Sequence, residues 1–301
     1  MWVDAMAQPK TQKLRRSIGV LLCAASISFV MMSQASAAET DAKTNRIKIE
    51  YVDPPNPALR SVYELVKKRR TLERIQQVFS PFRLPVELTI RTGSCEGVAN
   101  AWYIRPTISV CYEYLNQILQ SLPAETTPAG VTREDALIGE TFYVLAHEMG
   151  HATFDLFTVP MLGDRENAAD HFAGYLMLQF GKDEARALIM GAAYTYHKYV
   201  QNPEVMAPLK AFSDIHGAPA QRYYNLLCLA YGAEPTVFSD VVAKGYLPKE
   251  RATGCKREYD QVAHGFRELM APHMDQQLEK QVLDRSWLSE VKAPDLSRDQ
   301  P

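Results

Sequence analysis

The chain has 301 residues, 47% of them hydrophobic, with a formal net charge of −2 and five cysteines. That is ample apolar material for a packed core, and no basic cluster gives electrostatic grounds for a nucleic-acid partner. The sequence holds no internal repeat and no low-complexity tract.

At the N-terminus, Lys10, Lys13, Arg15 and Arg16 precede an uncharged apolar run over residues 17–32. Ala35-Ser36-Ala37 then offers the small side chains a signal peptidase needs. Residues 1–37 are therefore expected to be a cleavable secretory signal peptide, cut near Ala37, which places the protein in the periplasm or outside the cell. The run is short for a membrane span and lacks charge on its far side, so no stable span is expected after cleavage. Cys23 follows Leu22, where a lipid-attachment site wants a small residue. Losing this segment removes a net charge of +3, so the mature chain carries about −5.

Residues 38–301 suit a single domain with a sheet lobe over about 46–113 and a helical lobe over about 114–290. Residues 47–52 alternate as a strand does. Pro54, Pro55 and Pro57 turn the chain, and residues 59–79 read as one helix with Leu65, Leu72, Ile75 and Val78 on one side. Residues 86–91 alternate as a second strand. Residues 101–103 and 107–111 pair as a hairpin across Arg105-Pro106. Beyond residue 113 nearly everything reads as helical, so the expected fold class is α+β. Residues 38–45 and the tail after Trp287 are polar and expected to be loose.

Four cysteines outlast the signal segment: Cys95, Cys111, Cys228 and Cys255. An even number in an exported chain suggests two disulfides. Of the three pairings, Cys95–Cys111 and Cys228–Cys255 are favoured because each is local. Zinc binding by these thiols has no C-x-x-C spacing behind it.

The most informative stretch is His147-Glu148-Met149-Gly150-His151. Thr132 caps a helix start, Glu134 and Asp135 suit its positive end, and no proline interrupts residues 136–146. Leu137, Ile138, Thr141, Leu145 and Met149 fall at helical spacing and are expected to pack inward. On that helix His147 and His151 share a face, so both rings can reach one metal ion, and Glu148 can take a proton from a bound water. This is the H-E-x-x-H pattern of zinc peptidases. Catalytic zinc usually has three protein ligands and one open position. Glu166 and Asp170, four apart at the start of the next helix, supply candidates. One can bind zinc while the other accepts a hydrogen bond from a ligand imidazole. Pro160 and Gly163 let that helix fold back. His171 points about 100° from Asp170 and reads as structural. His197, His264 and His273 have no partner at useful spacing.

H-E-x-x-H followed by E-x-x-A-D resembles the gluzincin peptidases. That resemblance implies His147, His151 and Glu166 as ligands of one Zn2+ ion, Glu148 as general base and Asp170 as the partner of a ligand histidine. A metzincin would need a glycine and a histidine where Phe154 and Phe157 stand. The layout of a small twisted sheet, a metal helix and a helical half is zincin-like. A narrower resemblance spans about residues 86–232. Cys95-Glu96-Gly97-Val98-Ala99-Asn100-Ala101-Trp102-Tyr103, Ile108-Ser109-Val110-Cys111-Tyr112-Glu113 and Asp214-Ile215-His216 with Gln221-Arg222-Tyr223-Tyr224-Asn225 and Cys228 are similar to a family of bacterial proteins. That family is classed as metallopeptidases by motif and known mainly as a domain of unknown function. His216 and Arg222 also resemble the H-P-x-x-x-x-R element of the CAAX-prenyl and heat-shock gluzincins, with Gly217 in place of proline. Attack on a carbonyl needs a donor for the oxyanion, and His216 is the first choice and Tyr223 the second. Arg222 is expected behind the ligands.

An extended peptide can add to an exposed sheet edge, and Asn100, Ala101, Trp102 and Tyr103 are the candidate edge. The expected function is an exported zinc metallopeptidase that cleaves peptides or proteins with a zinc-bound water and Glu148 as base. The alternatives are a non-peptidolytic zinc amidase of the cell envelope and a catalytically idle binding module of zincin fold. Retention of Glu148 speaks against the last.

Overall fold

The protein is described by a computed structural model over residues 46–201, 209–285 and 287. The expected signal segment, residues 38–45 and the tail after Trp287 lie outside the described residues.

Four strands, β1 (Ile47–Tyr51), β2 (Leu88–Gly93), β3 (Ala101–Ile104) and β4 (Thr107–Cys111), form one sheet in the order β1-β2-β4-β3. β1, β2 and β4 run parallel, and β3 pairs antiparallel with β4. Leu88, Ile90, Ile108 and Val110 are fully buried, as their alternation requires. β2 begins at Leu88 rather than Val86, because its partner β1 begins opposite at Ile47 and Val86 is exposed. β3 forms a hairpin with β4 and, among the described residues, is an edge strand of the sheet.

The single helix expected over residues 59–79 is two, α1 (Arg60–Lys68) and α2 (Thr71–Val78). Arg70 between them takes a left-handed conformation at φ 52°. The Tyr51 hydroxyl explains the restart. It accepts from the backbone N–H of Leu72 at 2.8 Å and donates to Glu73 at 2.7 Å, which docks α2 on β1. The inward residues of α1 are accordingly Val62, Tyr63 and Val66 rather than Leu65.

The rest is helical: α3 (Tyr112–Ser121), α4 (Arg133–Leu156), α5 (Arg165–Met177), α6 (Lys182–His197), α7 (Pro219–Ala233), α8 (Ser239–Ala243), α9 (Lys249–Ala252), α10 (Cys255–Leu269) and α11 (Gln276–Leu283). The fold is α+β. α4 starts with a full capping box between Thr132 and Asp135. It packs against α5 and α6 and also against β3, β4 and α3. A helix enclosed in this way is buried around most of its circumference.

Glycines set how closely its neighbours approach. A Cβ on Gly139 would lie 2.5 Å from the Leu188 carbonyl oxygen, and one on Gly191 would lie 1.8 Å from that of Asp135. The α4–α6 crossing is thus backbone on backbone. Gly150, between His147 and His151, lets α5 come close, since its Cβ would meet Ala169 and Phe172 at 3.2–3.3 Å.

Cys95–Cys111 and Cys228–Cys255 are disulfides with Cα separations of 5.5 and 5.0 Å. The first ties the loop before β3 to the end of β4, and the second ties α7 to α10. Among the described residues no helix is long and apolar enough to cross a membrane.

Candidate metal centre

The centre is built where α4 ends and α5 begins. His147 and His151 project from successive turns of α4. The chain then turns through residues 157–164, where Gly163 adopts φ 109°. Asp164 caps α5 by accepting from the Glu166 backbone N–H at 2.9 Å. Glu166 therefore sits in the first turn of α5, facing the two rings.

Three potential ligand atoms converge there. His147 Nε2 lies 3.1 Å and His151 Nε2 3.2 Å from Glu166 Oε2, and the two Nε2 atoms are 3.1 Å apart. Ligands about 2.0–2.1 Å from a tetrahedral ion are about 3.3 Å from one another. The triangle of two ring nitrogens and one carboxylate oxygen fits a small divalent cation. A second grouping, Cys95, Cys111 and Glu113, has both its sulfurs in a disulfide.

Behind the triangle, His147 Nδ1 meets Asp170 Oδ1 at 2.7 Å. Arg222, from α7, donates through Nε to Asp170 Oδ2 at 2.7 Å and through Nη2 to Oδ1 at 2.6 Å. The guanidinium also lies over the rings of Tyr196 and Tyr143, 5.1 and 5.8 Å from their centroids. Without metal, burial works against the His147 imidazolium, but hydrogen bonds with Asp170 and Glu166 outweigh it and push the pKa up to about 9. Burial likewise opposes the charge on Asp170 and Glu166. His147 and Arg222 overcome it at Asp170, and His147 and His151 at Glu166. Both carboxyls are held well below the usual range.

A cleft of about 630 Å3 opens over His147 and Glu148. Glu148 is 6% exposed, and burial pushes its carboxyl up. A carboxyl raised in this way is better matched to taking a proton near neutral pH than an ordinary one. His216 also lines the cleft. Asp214 Oδ1 fixes it, accepting from its backbone N–H and meeting its Nδ1, both at 2.9 Å, and its Nε2 stands 3.4 Å from Glu166 Oε2. Tyr223 is not brought to the cleft: it is buried and packs edge-on to Tyr224. Of the candidate edge, Asn100 and Ala101 line the cleft, together with Ala99. Trp102 and Tyr103 continue β3 outside it. The Tyr103 hydroxyl donates to Asp155 Oδ2 at 2.7 Å, and Arg105 reaches the same oxygen at 3.1 Å, fastening the hairpin to the last turns of α4.

The cleft also holds residues that the motif reading passed over: Glu140, Tyr143, Tyr114, Tyr196 and Tyr199. Tyr143 and Glu140 lie four and seven residues before His147, so helical spacing alone puts them on its face. Tyr196 and Tyr199 arrive with α6 and the residues after it, for which no local signal exists. An apolar hollow beside the N-terminal half of α4, lined by Val62, Leu137 and Phe142 among others, contains none of the metal-site groups. His171 is half-buried, and burial lowers its pKa. His273 stacks on Phe157 at 4.1 Å.

Comparison with curated proteins and with solved structures finds no match. A family model described as "Putative metallopeptidase" matches residues 51–270, and the chain belongs to that family.

Proposed function

We propose that this protein is an exported zinc metallopeptidase that hydrolyses peptide bonds, with His147, His151 and Glu166 as the metal ligands and Glu148 as the general base. The observation behind this reading is the near-equilateral triangle of His147 Nε2, His151 Nε2 and Glu166 Oε2 beside a buried Glu148. A zinc ion held there supplies Lewis acidity, lowering the pKa of water and polarising the substrate carbonyl. Glu148 takes the proton of the attacking water and returns it to the leaving amine. Asp170 fixes the tautomer of His147, so that Nε2 faces the ion, and Arg222 holds Asp170 in place. His216, its Nδ1–H donating to Asp214, has an Nε2–H to offer the oxyanion only as the doubly protonated ring, and it is in that form that it takes this role. The edge strand β3, entered at Asn100 and Ala101, aligns an extended peptide through its backbone. Two disulfides suit an oxidising compartment, in keeping with export behind the segment over residues 1–37.

The test is metal analysis of the purified mature protein, joined to digestion of a broad peptide library with and without chelator. One equivalent of zinc and chelator-sensitive cleavage are expected. Metal without cleavage of any peptide would shift the reading to a non-peptidolytic hydrolase or an idle module of this fold.

A further inference from the structure

Glu140 lies on α4 two turns before His147, on the same face. It is 1% exposed, yet it forms part of the cleft wall. The Tyr114 hydroxyl donates to Oε1 at 2.5 Å. Oε2 is buried without a hydrogen-bond partner. Arg222 reaches this carboxyl through its charge alone, its Nε and Nη2 donating to Asp170. Burial pushes the Glu140 carboxyl up, against side-chain hydrogen bonds with Tyr114 and Thr195 and the charge of Arg222. A buried acceptor left half-paired is costly, and an incoming donor that completes it recovers that cost.

The approach to this carboxyl is aromatic. Tyr143 and Tyr196 are buried, Tyr114 is half-buried, and Tyr199 is 52% exposed at the mouth. Ring faces accommodate both the apolar stem and the charge of a long cationic side chain.

We propose that Glu140 is the acceptor of a specificity subsite that takes a lysine or arginine side chain of the peptide substrate. The subsite rests on the peptidase reading of the neighbouring metal centre. The cation donates to Oε2 while Tyr114 keeps Oε1. A peptide without the cation leaves Oε2 unpaired, and sites of this kind discriminate against analogues that lack the donor.

The test uses the zinc-loaded Glu148→Gln protein and calorimetry with pentapeptides that differ at one position, carrying lysine, Nε-acetyl-lysine or norleucine there. Scanned along the peptide, one position is expected to favour lysine by about tenfold or more. Acetylation is expected to abolish the preference, and Glu140→Gln added to this background is expected to bring the lysine-to-norleucine ratio within about twofold of one. Tyr114→Phe reads the same carboxyl without altering it and is expected to raise the ratio, by leaving both oxygens to the cation. It decides the matter if Glu140→Gln does not fold. No lysine preference at any position, or a preference that survives Glu140→Gln or is unmoved by Tyr114→Phe, would overturn the proposal. Cleavage of the same peptides by protein with Glu148 intact separates the two readings. Cleavage without a lysine preference sinks the subsite alone. A Glu140-dependent preference in binding with no cleavage sinks the peptidase reading alone.

Discussion

Arg222 grips Asp170 through two hydrogen bonds, at 2.7 and 2.6 Å, and Asp170 in turn holds His147 Nδ1 at 2.7 Å. A residue on α7 thereby sets the orientation of a ring on α4 through a carboxylate on α5. With Arg222 also seated over Tyr143 and Tyr196, the clamp joins four helices around one imidazole.

Removing the clamp is expected to weaken metal binding without abolishing it. Asp170→Asn and Arg222→Ala are each expected to lower zinc affinity by about 10–100-fold. Arg222→Lys is expected to rescue little, since a point charge cannot reproduce the paired hydrogen bonds. Competition against a chromophoric chelator reads these affinities. Unchanged affinity in all three variants would show that Asp170 does not orient His147.

Glu148→Gln is expected to retain one zinc per chain and to lose turnover by a factor of about 10²–10⁴. The amide keeps the shape of the carboxyl and cannot accept the proton. Metal content and peptide cleavage measured on the same preparation check this. Cleavage at the native rate would remove Glu148 from the role of base.

Metal binding is expected to depend on pH through His147. In the metal-free protein the His147 pKa is pushed up to about 9, so an incoming ion is expected to displace the Nε2 proton. Zinc affinity is expected to rise about tenfold per unit between roughly pH 7 and 9 in a non-coordinating buffer. The stability of the metal-free protein follows from the same shifts. His147 is raised above its unfolded value, so its contribution is complete below about pH 6.5 and is lost as pH climbs through 9. Asp170 and Glu166 are depressed, so theirs is complete above about pH 5 and is lost as pH falls through the acid range. Thermal melts of the metal-free protein are expected to peak near pH 5–7, and a flat profile would contradict the network.

The α4–α6 crossing makes a prediction about stability. At Gly191 an added methyl would stand 1.8 Å from a backbone oxygen, so Gly191→Ala must push the helices apart. The expected cost is about 3 kcal/mol, or a fall in Tm of about 6–12 °C. Gly265 on α10 has nothing within 4 Å of the same position, and Gly265→Ala is expected to stabilise by up to about 1 kcal/mol. Melting curves of the two variants should move in opposite directions.

What the sequence made legible was local. His147, His151, Glu166 and Asp170 were readable because i,i+4 spacing fixes them on helix faces and a turn of few residues joins the two helices. The β3–β4 hairpin was readable from alternation, and the disulfide pairing from proximity along the chain. The break at Arg70 was not, because it comes from the Tyr51 hydroxyl reaching across from β1, and neither glycine nor proline marks it. Tyr223 and Arg222 are neighbours on α7 about 100° apart, so only one can face the cleft. Which one does is decided by the packing of α7, and the pairing with Asp170 turns Arg222 inward and Tyr223 away. Glu140 and Tyr143 were within reach of the spacing argument that found His147. Tyr196 depends on the glycine-lined crossing of α6 over α4, which is a tertiary property.

The most direct measurement is anomalous scattering at the zinc absorption edge from crystals of the purified protein. A single peak is expected, about 2.0–2.2 Å from His147 Nε2, His151 Nε2 and a carboxylate oxygen of Glu166, and it should vanish in Glu166→Ala. No bound metal, or a peak away from these three side chains, would contradict the account.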